Sequence, residues 1–252
     1  MVDALILAGG ESNEGLSKLS NESYEALIGI AGKPMVTFVA EALAKSQLVR
    51  RIFIIGPAVE LSRCTFPNHS TIIQGGQSLK ENIKLGMAAV NQEAKTLVVT
   101  CDIPLLTEPA IKDFLDSCQK VVADLYYPVI EKKISERDYP GNKRTYVKFK
   151  EGLFTGGNIF LVNPKIVHSG LLQANYLLEN RKNPLRLCRF LGLAFVVRFF
   201  FGQLSLQAVA ERASKLLHIR GAVIQSPFAE VGMDVDKPSD LELVRNTFSV
   251  RV

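Results

Sequence analysis

The chain has 252 residues, of which 47% are hydrophobic and 22% charged, a balance typical of a folded globular protein. The length suits one large α/β domain or two small ones, and we expect residues 1–252 to form a single domain. The four cysteines are widely spaced, without a CxxC pair or a Cys/His cluster, which argues against a zinc site and a disulfide framework. This cysteine usage fits a reducing, cytoplasmic compartment.

The net charge of +5 is concentrated in one segment. Residues 180–220 carry eight basic side chains and one acidic side chain, so this segment is +7 and the remainder of the chain is −2. Because the basic character is local, it argues against a general nucleic-acid-binding function. The sequence starts directly with a predicted strand and shows no signal peptide, which again favours a cytoplasmic location.

The first predicted element is a short apolar run, Ala4–Leu7, which is followed closely by Gly9 and Gly10. Such a run is typical of a strand that is buried on both faces in a parallel sheet. Glycine has no Cβ, so the backbone after this strand can approach a ligand closely, and its N–H groups can bind an anion. The sequence therefore predicts an anion-binding loop at the end of the first strand.

Strands and helices alternate through the first 130 residues. A long polar loop spans residues 10–32, and Pro34 then opens a helix. Further strands are predicted at Arg51–Ile55, Thr71–Ile73, Thr96–Thr100 and Asp124–Ile130, with helices from Leu79 and from the N-cap Thr107 between them. This alternation predicts an α/β fold with a doubly wound, mostly parallel sheet between two layers of helices.

Three polar signals lie just past the ends of predicted strands, namely Gly9–Gly10, Gly75–Gly76 and Asp102. Ligands of doubly wound sheets gather at the carboxyl ends of the strands, so we expect these three features to meet at one edge. In the second half, Lys132–Lys150 is basic and turn-rich, Asn158–Val162 is a predicted strand, and Pro238 starts the terminal helix.

Five stretches carry a family resemblance by their order along the chain. They are Leu5–Gly10, Gly32–Val36, Thr100–Leu105, Gly156–Asn158 and Asp234–Leu241. This ordered set resembles the MobA-like nucleotidyltransferases, which activate sugars, alcohols and cofactors with nucleoside triphosphates. The resemblance covers nearly the whole chain apart from residues 180–220. It implies a three-layer fold like that of the nucleotide-diphospho-sugar transferases, Mg²⁺ as cofactor, and a nucleoside triphosphate and a small acceptor as partners.

The resemblance also assigns binding roles to individual residues. The nucleotide would be bound by Leu7, Ala8, Gly9, Gly10, Gly75, Gly76, Asn82 and Thr100, and the acceptor by Gly157 and Asn158. The stretch Gly75–Met87 is similar to the base-binding loop of the cytidylyltransferase of the methylerythritol phosphate pathway, in which a small polar residue at the position of Asn82 faces the base. This similarity favours a pyrimidine, CTP first.

Nucleotidyl transfer needs positioning and charge neutralisation more than covalent help from the protein. Mg²⁺ takes oxygen ligands and keeps several waters, so Asp102 and Asp236 would suffice as protein ligands. Asp234 lies two residues before Asp236, and an extended backbone would project both side chains to the same side. We expect Asp102, Asp236 and Lys33 to be the catalytic residues. Each aspartate also has a structural alternative, Asp236 as a helix cap and Asp102 as a strand end.

The chain departs from the pattern of the family in two places. The usual phosphate-binding lysine, eight positions before Lys33, is Glu25 in this chain, and the Arg-Met-Gly-like cluster of the first loop is absent. An acid that faces a triphosphate is repulsive unless a metal or bases offset it, and Lys18, Lys33 or Lys148 would have to supply that charge. Two other functions therefore stay open: a glycosyltransferase of similar fold and a non-catalytic nucleotide-binding regulator.

The segment 185–206 contains five phenylalanines with three arginines among them. Its longest uncharged run before the phenylalanine triplet, Phe190–Val197, is too short to span a bilayer. We expect the insertion at about 180–220 to be helical and to lie beside the acceptor. Phe199–Phe201 would then be buried against the body of the domain or in a homodimer. A membrane-surface patch is the less favoured alternative.

Overall fold

The computed structural model describes residues 1–167 and 192–250 as an α/β fold. The strands are β1 (Val2–Leu7), β2 (Gly29–Ile30), β3 (Lys33–Pro34), β4 (Val49–Gly56), β5 (Ser70–Gln74), β6 (Thr96–Thr100), β7 (Leu125–Glu131), β8 (Val147–Phe149), β9 (Gly152–Gly156), β10 (Ile159–Val162) and β11 (Gly221–Ser226). The helices are α1 (Glu14–Ser17), α2 (Met35–Lys45), α3 (Ala58–Leu61), α4 (Leu79–Ala89), α5 (Glu108–Gln119), α6 (Lys132–Asp138), α7 (Leu193–Phe200), α8 (Leu206–Leu217) and α9 (Pro238–Val250).

Within the described residues, the central sheet has nine strands in the order β5-β4-β1-β6-β10-β7-β9-β8, with β11 paired to β7. Strands β5, β4, β1 and β6 are parallel to one another, and β11 is parallel to β7. Strands β9 and β10 run antiparallel to their neighbours. The mostly parallel, doubly wound sheet that the sequence predicted is therefore confirmed.

Strand β1 lies at the centre of the sheet and is buried on both faces. Ala4, Leu5 and Ile6 are all fully buried. Ala4 and Ile6 belong to the core under α2 and α5, whereas Leu5 packs with Met87 of α4 on the opposite face. Gly86 lets α4 come close, since a Cβ there would lie 2.5 Å from the Leu5 side chain. Burial of a large aliphatic side chain such as Leu5 or Ile6 stabilises the folded state by about 1.5–3 kcal/mol. The position of β1 is therefore well fixed, and with it the start of the loop that follows.

The loop predicted over residues 10–32 contains α1 and β2, and two further regions differ from the prediction. The segment Lys132–Lys150, predicted to be turn-rich, contains helix α6 and strand β8. Gly152, with φ of 145°, turns the chain from β8 into β9, and β9 pairs with β7. Strand β11 was also missed, because its parallel pairing partner β7 lies about ninety residues earlier in the sequence. Both differences arise from pairing between strands that are distant in the sequence. Local composition does not indicate such pairing.

The predicted helical insertion at 180–220 is described only in part, since residues 180–191 lie outside the described residues. The remainder contains α7 and α8, as expected. Phe199 packs on Phe149 of β8, with ring centroids 6.2 Å apart. Phe200 and Phe201 are 75% and 68% exposed, so burial against the body is wrong for these two, and burial in a dimer stays a prediction. Among the described residues, no helix combines the length and the apolar content that a membrane span requires.

Candidate active site

Two glycine-rich loops and the first carboxylate meet at the carboxyl edge of the sheet. Gly9–Gly10 follows β1, Gly75–Gly76 follows β5, and Asp102 follows β6. Strand β6 is the direct neighbour of β1, and β4 alone separates β1 from β5. The sheet order therefore brings together the three features that the sequence predicted at one edge.

Asn82, at the start of α4, joins the two glycine loops. Its side chain is buried, and its Oδ1 accepts a hydrogen bond of 2.7 Å from the Gly76 N–H. A Cβ on Gly9 would lie 2.5 Å from the Asn82 Nδ2, and a Cβ on Gly75 would lie 2.9 Å from its Oδ1. Glycine is therefore required at both positions by the close approach of Asn82. The predicted contact of Asn82 with the base stays a prediction.

Three aspartates form a compact cluster at the same edge. Carboxylate oxygens of Asp102, Asp234 and Asp236 all lie within 4.8 Å of one another. The Val235 N–H donates a 2.9 Å hydrogen bond to the carbonyl of Asp102, which fixes the C-terminal segment against the end of β6. The hydroxyl of Thr100 donates to the Asp102 carboxylate. Residues more than 130 positions apart thus form one acidic site.

Asp236 does not cap the last helix, α9, which was the structural role considered for it. The carboxylate of Asp240 accepts hydrogen bonds of 3.2 Å from the backbone N–H groups of both Asp236 and Lys237. Asp240 therefore caps the start of α9, as an acidic residue in the first turn often does. The side chain of Asp236 is left to face the other two aspartates.

The cluster carries more negative charge than its surroundings neutralise. Burial, with Asp234 nearby, raises the pKa of Asp102 from 3.8 to about 7, although the hydrogen bond from Thr100 opposes the rise. Burial and the adjacent Asp234 raise the pKa of Asp236 from 3.8 to about 6. Clustered carboxylates with raised pKa values are stabilised in their charged form by a cation. Clustered carboxylate oxygens are the ligands that Mg²⁺ prefers, so these residues fit a magnesium ion.

Arg144 is the cation that the sequence reasoning missed. Its guanidinium forms an ion pair with Asp234, and both side chains are largely buried, at 12% and 13% exposed. Arg144 lies in the irregular stretch between α6 and β8, where no periodic pattern marks it. The basic composition of this stretch was visible in the sequence, but its partner ninety residues away was not.

The three lysines expected to offset the charge of Glu25 lie in other surroundings. The Lys33 ammonium lies 2.6 Å from the Glu41 carboxylate, so this predicted catalytic residue of β3 forms a partly exposed ion pair with α2. Lys148 is exposed on β8 and packs along Gly202. Lys18 is exposed at the end of α1. Among the described residues, the recorded ion pair to the aspartate cluster comes from Arg144.

Glu25 lies inside the cleft rather than on its rim. Its N–H donates to the carbonyl of Gly10 at 3.1 Å, and a Cβ on Gly10 would come within 3.2 Å of the Glu25 carboxylate. Burial, together with Asp236 and Asp234, raises the pKa of Glu25 above its ordinary value. The glycine loop is therefore flanked by an acid at the position where the family pattern has a base.

Gly157 and Asn158, predicted at the acceptor, sit where β9 passes into β10. The Asn158 N–H donates to the carbonyl of Val231 at 2.8 Å, and its carbonyl accepts from the Thr100 N–H at 3.1 Å. A Cβ on Gly157 would lie 2.8 Å from the Val231 side chain. Both residues thus connect the end of β6 to the segment that leads to Asp234, and their contact with an acceptor stays a prediction.

A glycine loop and an acidic cluster at the carboxyl edge of a doubly wound sheet define a class of nucleotide-handling transferases. The chain belongs to the family of the MobA-like NTP transferase domain, whose profile matches residues 4–216. This confirms the family that the ordered motifs predicted, which is a family of nucleotidyltransferases. Asp234 and Asp236 lie beyond the matched span.

Individual relatives agree with this assignment. A solved structure described as a hypothetical transferase from Thermus thermophilus is 32% identical, with a TM-score of 0.84, and the match covers 96% of this chain and all of that chain. The bifunctional protein GlmU of Staphylococcus epidermidis is 25% identical over 177 residues, which is 62% of this chain and 38% of that protein. The 2-C-methyl-D-erythritol 4-phosphate cytidylyltransferase of Rhodococcus opacus is 29% identical over 126 residues, which is 49% of this chain and 51% of that protein. The chain thus spans about half or less of either curated relative.

Proposed function

We propose that this protein is a cytoplasmic, Mg²⁺-dependent nucleotidyltransferase. It transfers a nucleoside monophosphate from a nucleoside triphosphate, CTP first, to a small phosphorylated or hydroxylated acceptor and releases pyrophosphate. The observation that carries this proposal is the cluster of Asp102, Asp234 and Asp236 within 4.8 Å, beside the loop Gly9–Gly10. A glycine loop beside a group of carboxylates that could hold a metal ion suits a reaction at phosphorus.

In this proposal Asp102 and Asp236 hold the ion, with Asp234 as a third ligand. When bound, Mg²⁺ supplies charge neutralisation at the phosphates. The backbone N–H groups of Gly9 and Gly10 bind the donor phosphates, and Asn158 orients the acceptor. An acceptor oxygen then forms a bond to the α-phosphorus, in line with the breaking bond to pyrophosphate. The protein contributes position and charge, and no covalent intermediate is needed.

The preference for CTP rests on the loop Gly75–Met87. This loop is similar to the base-binding loop of a cytidylyltransferase, and Asn82 holds it through the hydrogen bond that its Oδ1 accepts from the Gly76 N–H. The Rhodococcus opacus relative is, by its name, a cytidylyltransferase. The likeness to cytidylyltransferases supports a pyrimidine over a purine.

A second candidate, a non-catalytic nucleotide-binding regulator, is favoured by one observation. Glu25 lies against Gly10, where its charge opposes the approach of a triphosphate. A protein that bound nucleotide weakly and did not turn it over would suit this arrangement. The two candidates differ in one product, since the enzyme releases pyrophosphate.

A thermal-shift panel of CTP, UTP, ATP and GTP with Mg²⁺ tests the proposal first. Binding at about 100 times Kd adds about 2.7 kcal/mol to the free energy of unfolding, and we expect the largest shift with CTP. Release of pyrophosphate in a screen of acceptors then separates the candidates. If nucleotides bind but no acceptor leads to pyrophosphate release, the regulator is favoured. Release of a nucleoside diphosphate from a nucleotide sugar would identify a glycosyltransferase. A clear purine preference would contradict the assignment of CTP.

A further inference from the structure

Helix α7 presents a group of large apolar side chains to solvent. Phe200 and Phe201, at its C-terminal end, are 75% and 68% exposed, and Val197, one turn earlier, is 44% exposed. Residues three and four positions apart share one face of a helix, so Val197 adjoins both phenylalanines. We call these three residues the α7 patch. Exposed apolar groups that adjoin one another mark an interaction site, whereas single ones do not.

The opposite face of α7 is packed against the sheet. Val196 is buried, and the ring centroid of Phe199 lies 6.2 Å from that of Phe149 on β8. The helix is therefore apolar on both faces, which is typical of a helix that is covered on all sides. The described residues cover the inner face and leave the outer face exposed, so the α7 patch is suited to a partner.

Basic side chains border the α7 patch. Arg198 lies in the same helical turn and is exposed. The side chain of Lys148, on β8, runs along Gly202, where a Cβ would lie 2.7 Å from it. The Lys150 N–H donates a 3.0 Å hydrogen bond to the carbonyl of Leu204, which keeps this exposed lysine close to the chain that leaves α7. The patch thus combines apolar groups with three cations at its border.

These cations outnumber the acidic groups beside them. Within the part of the chain that the structure describes, none of the three basic side chains forms a recorded ion pair. The carboxylate of Glu151, which follows Lys150, accepts the Leu206 N–H at the start of α8 at 3.2 Å. The sequence directly before α7 carries the same charge, since residues 180–191 contain four basic side chains and no acidic one.

Two partners would cover an apolar patch of this kind, a second copy of the chain or an anionic membrane surface. In a twofold dimer the same patch meets itself, so Arg198 would face the basic border of the other copy. Like charges across an interface are unfavourable. An anionic bilayer suits both features, because phenylalanines enter the boundary between headgroups and acyl chains while basic side chains stay among the headgroups.

We propose that the α7 patch binds the surface of an anionic phospholipid membrane, with Phe200 and Phe201 inserted below the headgroups and Arg198 among them. The contact is peripheral and reversible, since one short helix offers much less apolar surface than a membrane-spanning segment. The proposal does not depend on the reaction that the aspartate cluster supports. It assigns a partner to the segment that the ordered sequence motifs leave out.

The test is co-sedimentation of the full chain with two sets of vesicles, one of phosphatidylcholine alone and one with about a third of phosphatidylglycerol. The double variant Phe200→Ser and Phe201→Ser removes the inserted groups, and Arg198→Gln removes one charge. All three side chains are exposed, so the fold should be kept, and thermal unfolding checks this. The matched controls are Val122→Ser, 77% exposed before β7, and Lys112→Gln, an exposed lysine of α5.

We expect the wild type to bind the anionic vesicles and not the neutral ones, and to bind less tightly as salt is raised, because salt screens the attraction. The double variant should lower the partition coefficient about a hundredfold, since two phenylalanines lose their burial. Arg198→Gln should lower it about fivefold. The two control variants should bind as the wild type does.

Three results would overturn the proposal: no binding to anionic vesicles, equal binding to neutral and anionic vesicles, or equal binding by the wild type and the double variant. Sedimentation velocity gives a fourth. A wild-type dimer that becomes a monomer in the double variant, without vesicle binding, would assign the α7 patch to a second copy. None of these measurements needs a nucleotide, so a failure of the proposed function would leave the test intact.

Discussion

Carboxylates lie at both ends of the central strands, and the surrounding chain neutralises them at one end only. At the amino end of β1, Asp3 is 2% exposed and accepts hydrogen bonds from Arg50 at 3.1 Å, Arg51 at 2.8 Å and the Asn91 N–H at 3.0 Å. Burial acts to raise the pKa of Asp3, but the bonds from Arg51, Asn91 and Arg50 outweigh it and hold the pKa below its ordinary value. The chain itself thus supplies the positive charge and the hydrogen bonds that the Asp3 carboxylate needs.

At the carboxyl end the chain leaves its carboxylates short of positive charge. Asp102, Asp234, Asp236 and Glu25 share one cleft, and Arg144 is paired with Asp234. The pKa values of Asp102 and Asp236 are raised to about 7 and about 6. Asp3 is neutralised by its own chain, whereas the aspartate group at the carboxyl end could hold a cation from outside.

The largest effect should come from the aspartate cluster. Asp102→Asn and Asp236→Asn each replace a negatively charged ligand of the proposed Mg²⁺ ion by a neutral amide. We expect each substitution to lower turnover by about 10³-fold or more. The metal-free stability should not fall, because each substitution relieves repulsion among the carboxylates. Steady-state pyrophosphate release and thermal unfolding measure the two effects. Asp116→Asn, on the exposed surface of α5, is the control, and unchanged Mg²⁺-dependent turnover in both variants would refute the metal assignment.

The opposite result is expected at Asp3. Asp3→Asn removes the charge that Arg50 and Arg51 neutralise, and the free energy of unfolding should fall by about 2–3 kcal/mol. Turnover per folded molecule should stay unchanged, because the site is at the other end of β1. Urea unfolding measures the stability. A variant as stable as wild type would mean that the ion pairs at Asp3 are not a stabilising feature.

A smaller effect is expected at Glu25, which adds to the negative charge of the cleft. Glu25→Lys removes a repulsive charge beside Gly10 and adds an attractive one, and triphosphate affinity should rise about tenfold in the presence of Mg²⁺. Glu14→Lys, an acidic residue at the start of α1 in the same long loop, controls for the change in net charge. Equal gains in both variants would show that Glu25 has no specific position against the phosphates. Calorimetric titration with CTP gives the two affinities.

The smallest effect should come from Lys33. Its ion pair with Glu41 is half exposed, so Lys33→Gln should change the free energy of unfolding by less than about 0.5 kcal/mol. Turnover is the informative readout, because Lys33 was predicted to be catalytic. A loss of more than about tenfold would show that Lys33 leaves Glu41 to reach the phosphates, and no loss would remove it from the catalytic group.

The strands of the first half could be predicted because their apolar runs are local signals. Thr96–Thr100 has the predicted bounds, and Arg51–Ile55 extends by one or two residues at each end to Val49–Gly56. The meeting of the glycine loops with Asp102 follows from the same pattern, since parallel strands place their carboxyl ends together. The aspartate pair at 234 and 236 was found through the order of the motifs.

The remainder of the site depends on contacts that no local pattern encodes. Arg144 lies in an irregular stretch and reaches its partner Asp234 only because β9 and the C-terminal segment fold to the same edge. Asn82 was expected to face a base, and its hydrogen bond to the Gly76 N–H depends on how α4 packs under β1. Lys33 matched a motif, yet its pairing with Glu41 depends on the face of α2 that it adjoins.

The free energy of unfolding as a function of pH, with EDTA and then with Mg²⁺, tests the central claim most directly. Asp102 has a pKa of about 7 in the folded protein against an ordinary value of 3.8, so the native state binds more protons than the unfolded state between these values. We expect the metal-free free energy of unfolding to fall as pH rises from about 4 to about 7. Addition of Mg²⁺, or the substitution Asp102→Asn, should remove most of this dependence on pH. The Asp3 contribution does not interfere, because a lowered pKa costs stability only as pH falls below about 4. A metal-free stability that is flat or rising across this range, with no response to Mg²⁺, would contradict the account.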